Sequence, residues 1–262
     1  MLFRSAALRS GPPDPHREGR APSRRARRLV LNNAVRARGG LRCGGSDDVF
    51  GIEPNKLVEA SGGAVTRLKP VERPVGYLPT VSTLAGRPHS ALVVIDVQNG
   101  VVADAYDRDG VVARIADLVE RARSQSVTVI WVQHSDDELV KGSDAWNIVD
   151  GLRPQSDEPV VHKSYNDSFE ETTLESELAQ RGVGRLVVTG AQTEWCIRST
   201  MHGAIARGYD ALLVSDAHTT GDLSATTPAT SLIEMTNHYW VWHSVPGRSA
   251  GVETAADVSL AG

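Results

Sequence analysis

Three residues able to do chemistry stand behind short apolar runs in this chain of 262 residues. Asp96 follows Ala91-Leu-Val-Val-Ile95, Lys163 follows Val160 and Val161, and Gly190-Ala-Gln-Thr-Glu-Trp-Cys196 follows Leu186-Val-Val188. Asp216 and His218 come after a further run, Ala211-Leu-Leu-Val214. A thiol attacks carbonyl carbon as its thiolate, and at neutral pH a free cysteine is mostly protonated, so it needs a base. A carboxylate such as Asp96 can take that proton. An ammonium such as Lys163 can stabilise the thiolate and hold the acid ionised, because an opposite charge nearby lowers a carboxyl pKa. The three residue types together are the parts of a nucleophilic acyl-transfer site.

Each residue alone has a plainer explanation. An isolated cysteine is commonly a small core residue, a strand-end aspartate can cap the next turn, and a lysine is usually solvated. The surroundings of Cys196 favour chemistry. With Thr193 as N-cap, Cys196 falls in the first helical turn, where the dipole and free N–H groups favour a thiolate. Ile197 begins the apolar stripe of that helix, which leaves Cys196 toward the crevice. A carboxylate ending an apolar strand is costly without a partner or a role.

The elements that would bring these residues together alternate regularly from Ala91 onward. All-apolar runs at 91–95, 127–132, 160–161, 186–188 and 211–214 read as strands buried on both faces, and Tyr239-Trp-Val-Trp242 as a sixth. Between them, Val111, Ile115, Leu118, Val119 and Ala122 mark one amphipathic helix. Thr172-Thr-Leu-Glu175 fits a capping box opening a second helix that ends near Gly182, and Ile197, Met201, Ala204, Ile205 and Gly208 follow one stripe of a third. Thr227-Pro228 suggests the start of a fourth. Such alternation implies an α/β fold with a parallel sheet covered on both sides, and right-handed crossovers put the loops that carry chemistry beyond the carboxyl ends of the strands.

The flanks are different material. Residues 1–45 hold 11 arginines against Asp14 and Glu18, a net of +9, whereas the remainder is at −13 and the whole chain at −4. Residues 1–45 read as an Arg-rich disordered extension. No aromatic residues interleave the arginines, which disfavours a nucleic-acid arm; a basic, acid-poor start, MLFRSAALRS, leaves a targeting presequence open. A dispensable extension is the preferred reading, and its deletion is expected to leave activity unchanged. Residues 46–87 read as a linker or arm, 88–243 as the domain and 244–262 as a tail. No apolar run is long enough to span a bilayer. Cys43 and Cys196, the only cysteines, form no disulfide framework or zinc motif, in keeping with a reducing, cytoplasmic setting.

The stretches Ala91-Leu-Val-Val-Ile-Asp-Val-Gln-Asn99, Lys163 with Ser168-Phe169, Val188-Thr-Gly-Ala-Gln-Thr-Glu-Trp-Cys196, Gly208-Tyr209 and Val214-Ser-Asp-Ala217 resemble the isochorismatase-like cysteine hydrolases over roughly 88–243. That resemblance implies a three-layer αβα domain with a six-stranded parallel sheet and a catalytic triad of Asp96, Lys163 and Cys196. It also implies a cis peptide between Ala191 and Gln192, an oxyanion hole from the backbone N–H groups of Gln192 and Cys196, and assembly as a homodimer or homotetramer. The nicotinamidase branch binds a metal through an Asp-x-His pair and further histidines. Here the corresponding stretch is Gln133-His134-Ser135-Asp136-Asp137-Glu138, so no metal and no cofactor is expected. Relatives that cleave a vinyl ether typically lack the cysteine, so Cys196 favours acyl transfer.

The expected partner is therefore a small-molecule amide: a carbamoyl, ureido or biuret-type compound, or a cyclic amide. Asp136, Asp137, Glu138, Asp144 and Asp150 stand against only Lys141, and Asp107 and Asp109 add to the acidity. An acidic mouth attracts a cationic substrate, although a solvated acidic surface explains the same residues. An acidic body with an Arg-rich front is similar to the streptothricin hydrolases, which open the lactam of a polycationic antibiotic. Gln98, Gln133, Tyr165 and Trp195 are the candidate pocket residues, with Trp131 and Trp146 as further apolar walls. Two readings of another class remain open at this point: a catalytically idle binding module and a redox thiol.

Overall fold

A computed structural model describes residues 82–261; the extension at 1–45, most of the arm at 46–87, and Cys43 lie outside the described residues. The elements in chain order are β1 (His89–Ile95), α1 (Arg108–Ser124), β2 (Thr128–His134), β3 (Val160–Lys163), α2 (Leu174–Gln180), β4 (Val183–Ala191), a π-helical turn (Thr193–Ile197), α3 (Arg198–Arg207), β5 (Asp210–Thr219), α4 (Ala229–Trp242) and β6 (Ala250–Glu253). The six strands form one sheet in the order β3-β2-β1-β4-β5-β6, and every pairing is parallel.

Why β1 is apolar from Ala91 to Ile95 follows from its place. It lies between β2 and β4, and every residue in it except His89 is buried. Ala91, Val93 and Ile95 face one layer with Leu174 and Leu178 of α2, Met201 and Ala204 of α3, and Trp240 of α4. Leu92 and Val94 face the other, with Ile115, Leu118 and Val119 of α1 and with Val258 and Leu260. A strand packed on both faces has no polar side to show, so its alternation is invisible in the sequence.

The strand order reverses between β1 and β4. Loops leaving their carboxyl ends part to opposite sides and open a crevice there, the usual binding position in a doubly wound sheet. Asp96 leaves β1 at this point and the π-helical turn leaves β4.

Several expectations need correction. The run at 160–161 is not buried on both faces: β3 is an edge strand, and its Val160 and His162 are exposed. Tyr239-Trp-Val-Trp242 is the last turn of α4, where Leu232, Thr236 and Trp240 point inward along an i, i+4 stripe while Tyr239, Val241 and Trp242 are exposed. A four-residue aromatic and apolar run carries no period that separates helix from strand. The sixth strand is instead Ala250–Glu253, so 244–262 is no loose tail: Ala255, Val258 and Leu260 enter the core. Finally, Thr172 does accept the N–H of Leu174 (3.2 Å), but Glu175 closes no capping box. It turns outward to Arg87 (2.9 Å) and the Tyr209 hydroxyl (2.7 Å). Among the described residues no helix is long and apolar enough to cross a membrane.

Candidate active site

Asp96 is the residue at which the chain turns away from the end of β1. Its φ of 51° lies in the left-handed region, uncommon for a side chain bearing a Cβ and most accessible to Asn and Asp. Its N–H bonds to the carbonyl of Val132 (2.9 Å), which ties the turn to β2. Lys163 closes β3, and its carbonyl holds Ser135 (3.0 Å). Cys196 rides on the π-helical turn. There the carbonyl of Gln192 accepts the N–H groups of Trp195 (3.1 Å) and Ile197 (3.2 Å) and passes over that of Cys196 between them. The peptide between Ala191 and Gln192 is cis. Just before it, Gly190 has φ 117° and lies so close to β1 that a Cβ would overlap the Ile95 carbonyl. Only glycine suits both the angle and the approach.

These elements bring Asp96, Lys163 and Cys196 into contact. Lys163 Nζ lies 2.7 Å from Asp96 Oδ2, and both side chains are essentially inaccessible (0% and 1%). The same nitrogen donates to Cys196 Sγ (3.2 Å) and to the carbonyl of Tyr165 (3.2 Å), and faces His134 Nδ1 (3.3 Å). Because an ammonium can only donate, Nδ1 is the accepting nitrogen of His134, and the ring proton sits on Nε2, 3.1 Å from Asp136 Oδ2. Both ring nitrogens of His134 are thereby engaged. The Asp96–Lys163 contact is a close, buried ion pair, and the Cys196 thiol also acts on the carboxylate.

The electrostatics follow from one cation among two would-be anions. Burial pushes the Cys196 thiol up to about 12, and the neighbouring Asp96 charge adds to this against the pull of Lys163. Burial also raises Asp96 above the usual carboxylate range despite Lys163. For Lys163 burial acts downward, but Asp96 and Cys196 outweigh it and the ammonium is held above its ordinary value. Burial thus keeps the thiol protonated beside the close Asp96–Lys163 pair. Moving the proton from Sγ to Asp96 leaves the total charge unchanged, so burial opposes it far less than it opposes loss of a proton to solvent. Lys163 touches the negative charge in either location.

A cleft of about 510 Å³ opens over these groups. Its floor is Asp96, Cys196 and Gln192, Trp195 and Asn166 stand beside the thiol, and the opposite wall is His134, Asp136, Glu138 and Leu139. Of the four expected pocket residues, Trp195 alone lines this cleft. Gln98 is fully buried and spends its amide on the carbonyls of His134 (3.0 Å) and Trp146 (2.8 Å) and on the N–H of His134 (2.8 Å). Gln133 is also buried and reaches the same Trp146 carbonyl (3.3 Å). Both glutamines therefore shape the 134–148 loop from beneath. Tyr165 is exposed and contributes its carbonyl to Lys163. Trp131 is core, with Nε1 donating to Glu158 (2.7 Å), and the Trp146 ring packs on His162. Asp107 and Asp109 pair with Arg114 and Arg108, so neither adds free charge to the mouth. Glu138 belongs to the acidic stretch expected at the mouth, whereas Asn166 and Leu139 line the cleft without having been expected there. Asn166 had a signal in following Lys163 on the same loop; the inward course of the 134–148 loop has none in its residue types.

Fold and site together define a doubly wound α/β protein with a cysteine, a carboxylate and an ammonium joined at its switch point. Residues 90–242 match the isochorismatase domain, and the chain belongs to the isochorismatase family. It is 33% identical over 153 residues to a streptothricin hydrolase of Streptomyces noursei, an alignment covering 56% of this chain and 60% of that protein. It is 31% identical over 186 residues to a ureidoacrylate amidohydrolase of Methylobacterium radiotolerans, covering 55% and 72% respectively. Among solved structures it is similar to an isochorismatase of Pseudomonas putida KT2440, with 25% identity, a TM-score of 0.61 and coverage of 70% of this chain and 94% of that one.

Proposed function

We propose that this chain is a cysteine amidohydrolase that needs no metal and cleaves a C–N amide bond through a thioester on Cys196. The observation that carries the reading is the placement of the buried Lys163 Nζ against both Asp96 and Cys196, which line an open cleft. Asp96 takes the thiol proton as Sγ bonds to the carbonyl carbon. The carbonyl oxygen becomes an oxyanion facing the N–H groups of Gln192 and Cys196. Asp96, whose raised pKa makes it a competent acid as well as a base, passes the proton to the amine nitrogen as the C–N bond breaks. A water then gives a proton to Asp96 and attacks the thioester, and Asp96 returns that proton to the departing thiolate.

The substrate we propose is a cyclic amide in a cationic molecule, streptothricin being the example, whose opening would confer antibiotic resistance. Similarity to the Streptomyces noursei protein supports this, and so does the cleft wall. Asp136 Oδ1 accepts the N–H groups of Glu138 (2.9 Å) and Leu139 (2.7 Å), whereas the Glu138 carboxylate has no ion-pair partner among the described residues and can face a cationic group. Similarity to the ureidoacrylate amidohydrolase supports a ureido substrate as the second reading. The two carboxylates on the wall weigh against an anionic one. Self-association as a dimer or tetramer belongs to the same proposal, and Met235, Tyr239, Val241 and Trp242 on α4 are the exposed side chains it would cover.

The test is steady-state hydrolysis of a panel with streptothricin, neutral lactams, ureido acids and biuret, comparing wild type with Cys196→Ala. Turnover of a cationic lactam that vanishes in Cys196→Ala is expected. Preference for ureido acids would move the assignment to the second reading, and turnover retained by Cys196→Ala would exclude the mechanism.

A further inference from the structure

His218 is a buried titratable group outside the cleft, on β5, with 1% of its surface exposed. Its two nitrogens are spoken for. Nε2 lies 2.9 Å from Asn237 Oδ1, and Asn237 Nδ2 donates to the carbonyl of Ser215 (2.9 Å). Since a backbone carbonyl only accepts, the Asn237 amide is fixed with its oxygen toward the imidazole, and the ring carries its proton on Nε2. Nδ1 is then an acceptor, and the group it meets at 2.9 Å is the hydroxyl of Thr193. Burial holds the ring well below its ordinary pKa, at about 4, in keeping with this single tautomer.

The hydrogen bonds therefore run one way, from Thr193 to His218 to Asn237 to the carbonyl of Ser215. All the donors point in the same sense, an arrangement in which each bond polarises the next. Its first member matters most. Thr193 is fully buried and begins the π-helical turn that carries Cys196. The N-cap of that turn is Gln192 and not Thr193 as expected from the sequence, and the Thr193 hydroxyl reaches across to β5 instead. Gln192 precedes it directly, and Cys196 lies three residues on. Rooted on β5, a rigid ring that accepts on one edge and donates on the other suits a fixed span between this turn and Asn237 of α4.

We infer that His218 is a positioning residue: through Thr193 it holds the turn that presents Cys196 Sγ and the neighbouring backbone N–H groups at the cleft floor. The inference rests on Cys196 being the reactive group but not on which amide is cleaved. A misplacement of about 1 Å at a reacting centre costs on the order of 100-fold in rate, so a loosened turn should appear in turnover before it appears in binding.

The experiment uses the full chain as wild type, Thr193→Val, Thr193→Ser, His218→Leu and His218→Asn. Three readouts are taken at a temperature where unfolding curves show each variant folded: kcat and KM on an amide that wild type turns over, and the pH profile of Cys196 alkylation by iodoacetamide. Thr193→Val and His218→Leu should lower kcat by roughly 10- to 100-fold, keep KM within about threefold of wild type and displace the alkylation profile. Thr193→Ser, which retains the hydroxyl, and His218→Asn, whose amide oxygen can stand where Nδ1 stood, should recover most of the loss. Folded Thr193→Val with wild-type kcat and profile would overturn the inference, as would Thr193→Ser as impaired as Thr193→Val. If wild type hydrolyses no amide, the reading of Cys196 as a hydrolytic nucleophile fails. The alkylation profiles alone then decide the positioning role, with the same expected and overturning results.

Discussion

Replacing Asp96 by asparagine should make Cys196 more reactive toward an alkylating agent while abolishing hydrolysis. Burial and the Asp96 charge together hold the thiol up at about 12. The Asp96→Asn variant would keep the burial and leave Lys163 at 3.2 Å from Sγ, but would lack the negative charge. Two unit charges about 4 Å apart at an effective dielectric of 20 interact by about 4 kcal/mol, which corresponds to roughly 3 pH units. Allowing for relaxation, the midpoint for alkylation should fall by at least ~2 pH units, raising the thiolate fraction about 100-fold near pH 8. Lower basicity makes the thiolate a poorer nucleophile by roughly tenfold over that interval. A net acceleration of about tenfold in iodoacetamide labelling, followed by peptide mass, is the expected result. Amide turnover should fall by roughly 10²- to 10⁴-fold, because no group remains to take the thiol proton or return it to the amine. If labelling and turnover fall together, or the labelling midpoint does not move, Asp96 is not the charge that governs this thiol, and the reasoning fails.

Other perturbations give equally definite outcomes. Lys163→Met would strand the Asp96 carboxylate in the core and should cost about 3–5 kcal/mol in chemical denaturation. Protonating Asp96 relieves that cost, so the loss should be smaller near pH 4 than near pH 8. Both Cys196 and Lys163 hold their protons to higher pH in the folded state than unfolded, so folding stability should decline as pH rises above about 9, where a free thiol begins to ionise. Cys196→Ala should remove the earliest part of that decline. Gly190→Ala puts a Cβ against the Ile95 carbonyl at φ 117° and should lower stability by about 1–3 kcal/mol or more; an unchanged unfolding curve would contradict the packing described at the end of β4. Glu138→Gln should raise KM for a cationic amide severalfold at low salt, leave a neutral amide unaffected, and flatten the salt dependence of the former.

The central strands of the sheet, and with them the place of Asp96, were legible in the sequence for one reason. A strand buried on both faces must be apolar throughout, so its end is marked by the first polar residue, and in a parallel sheet that end faces the crevice. Asp96 carries that mark at the end of β1; Lys163 instead follows His162 at the end of the edge strand β3, and Cys196 comes five residues beyond β4 on the π-helical turn, so these two were marked by their chemistry. Elements away from the sheet centre carry weaker ones. β6 is an edge strand of four residues with one large apolar side chain, Val252, and the aromatic end of α4 is too short to reveal its period. The pocket was the least legible part. Gln98 and Gln133 stand beside the strand ends as Asp96 does, but their amides are consumed by carbonyls of a loop that the sequence does not link to them. Nothing in a residue's type says which distant backbone group will claim it. For the same reason the acidity of the 134–150 segment reduced, once folded, to one carboxylate at the cleft without a protein partner among the described residues.

The central claim, that Cys196 forms a thioester with an amide substrate, is tested most directly by intact and peptide mass spectrometry after rapid acid quench. A lactam opened on Sγ keeps both halves of the molecule, so wild type incubated with streptothricin should gain the full substrate mass, located on the peptide containing Cys196 and absent from Cys196→Ala. A linear amide should add its acyl half alone. Turnover without any adduct on Cys196 in quenches spanning the first catalytic cycle, or an adduct that persists in Cys196→Ala, would contradict the account.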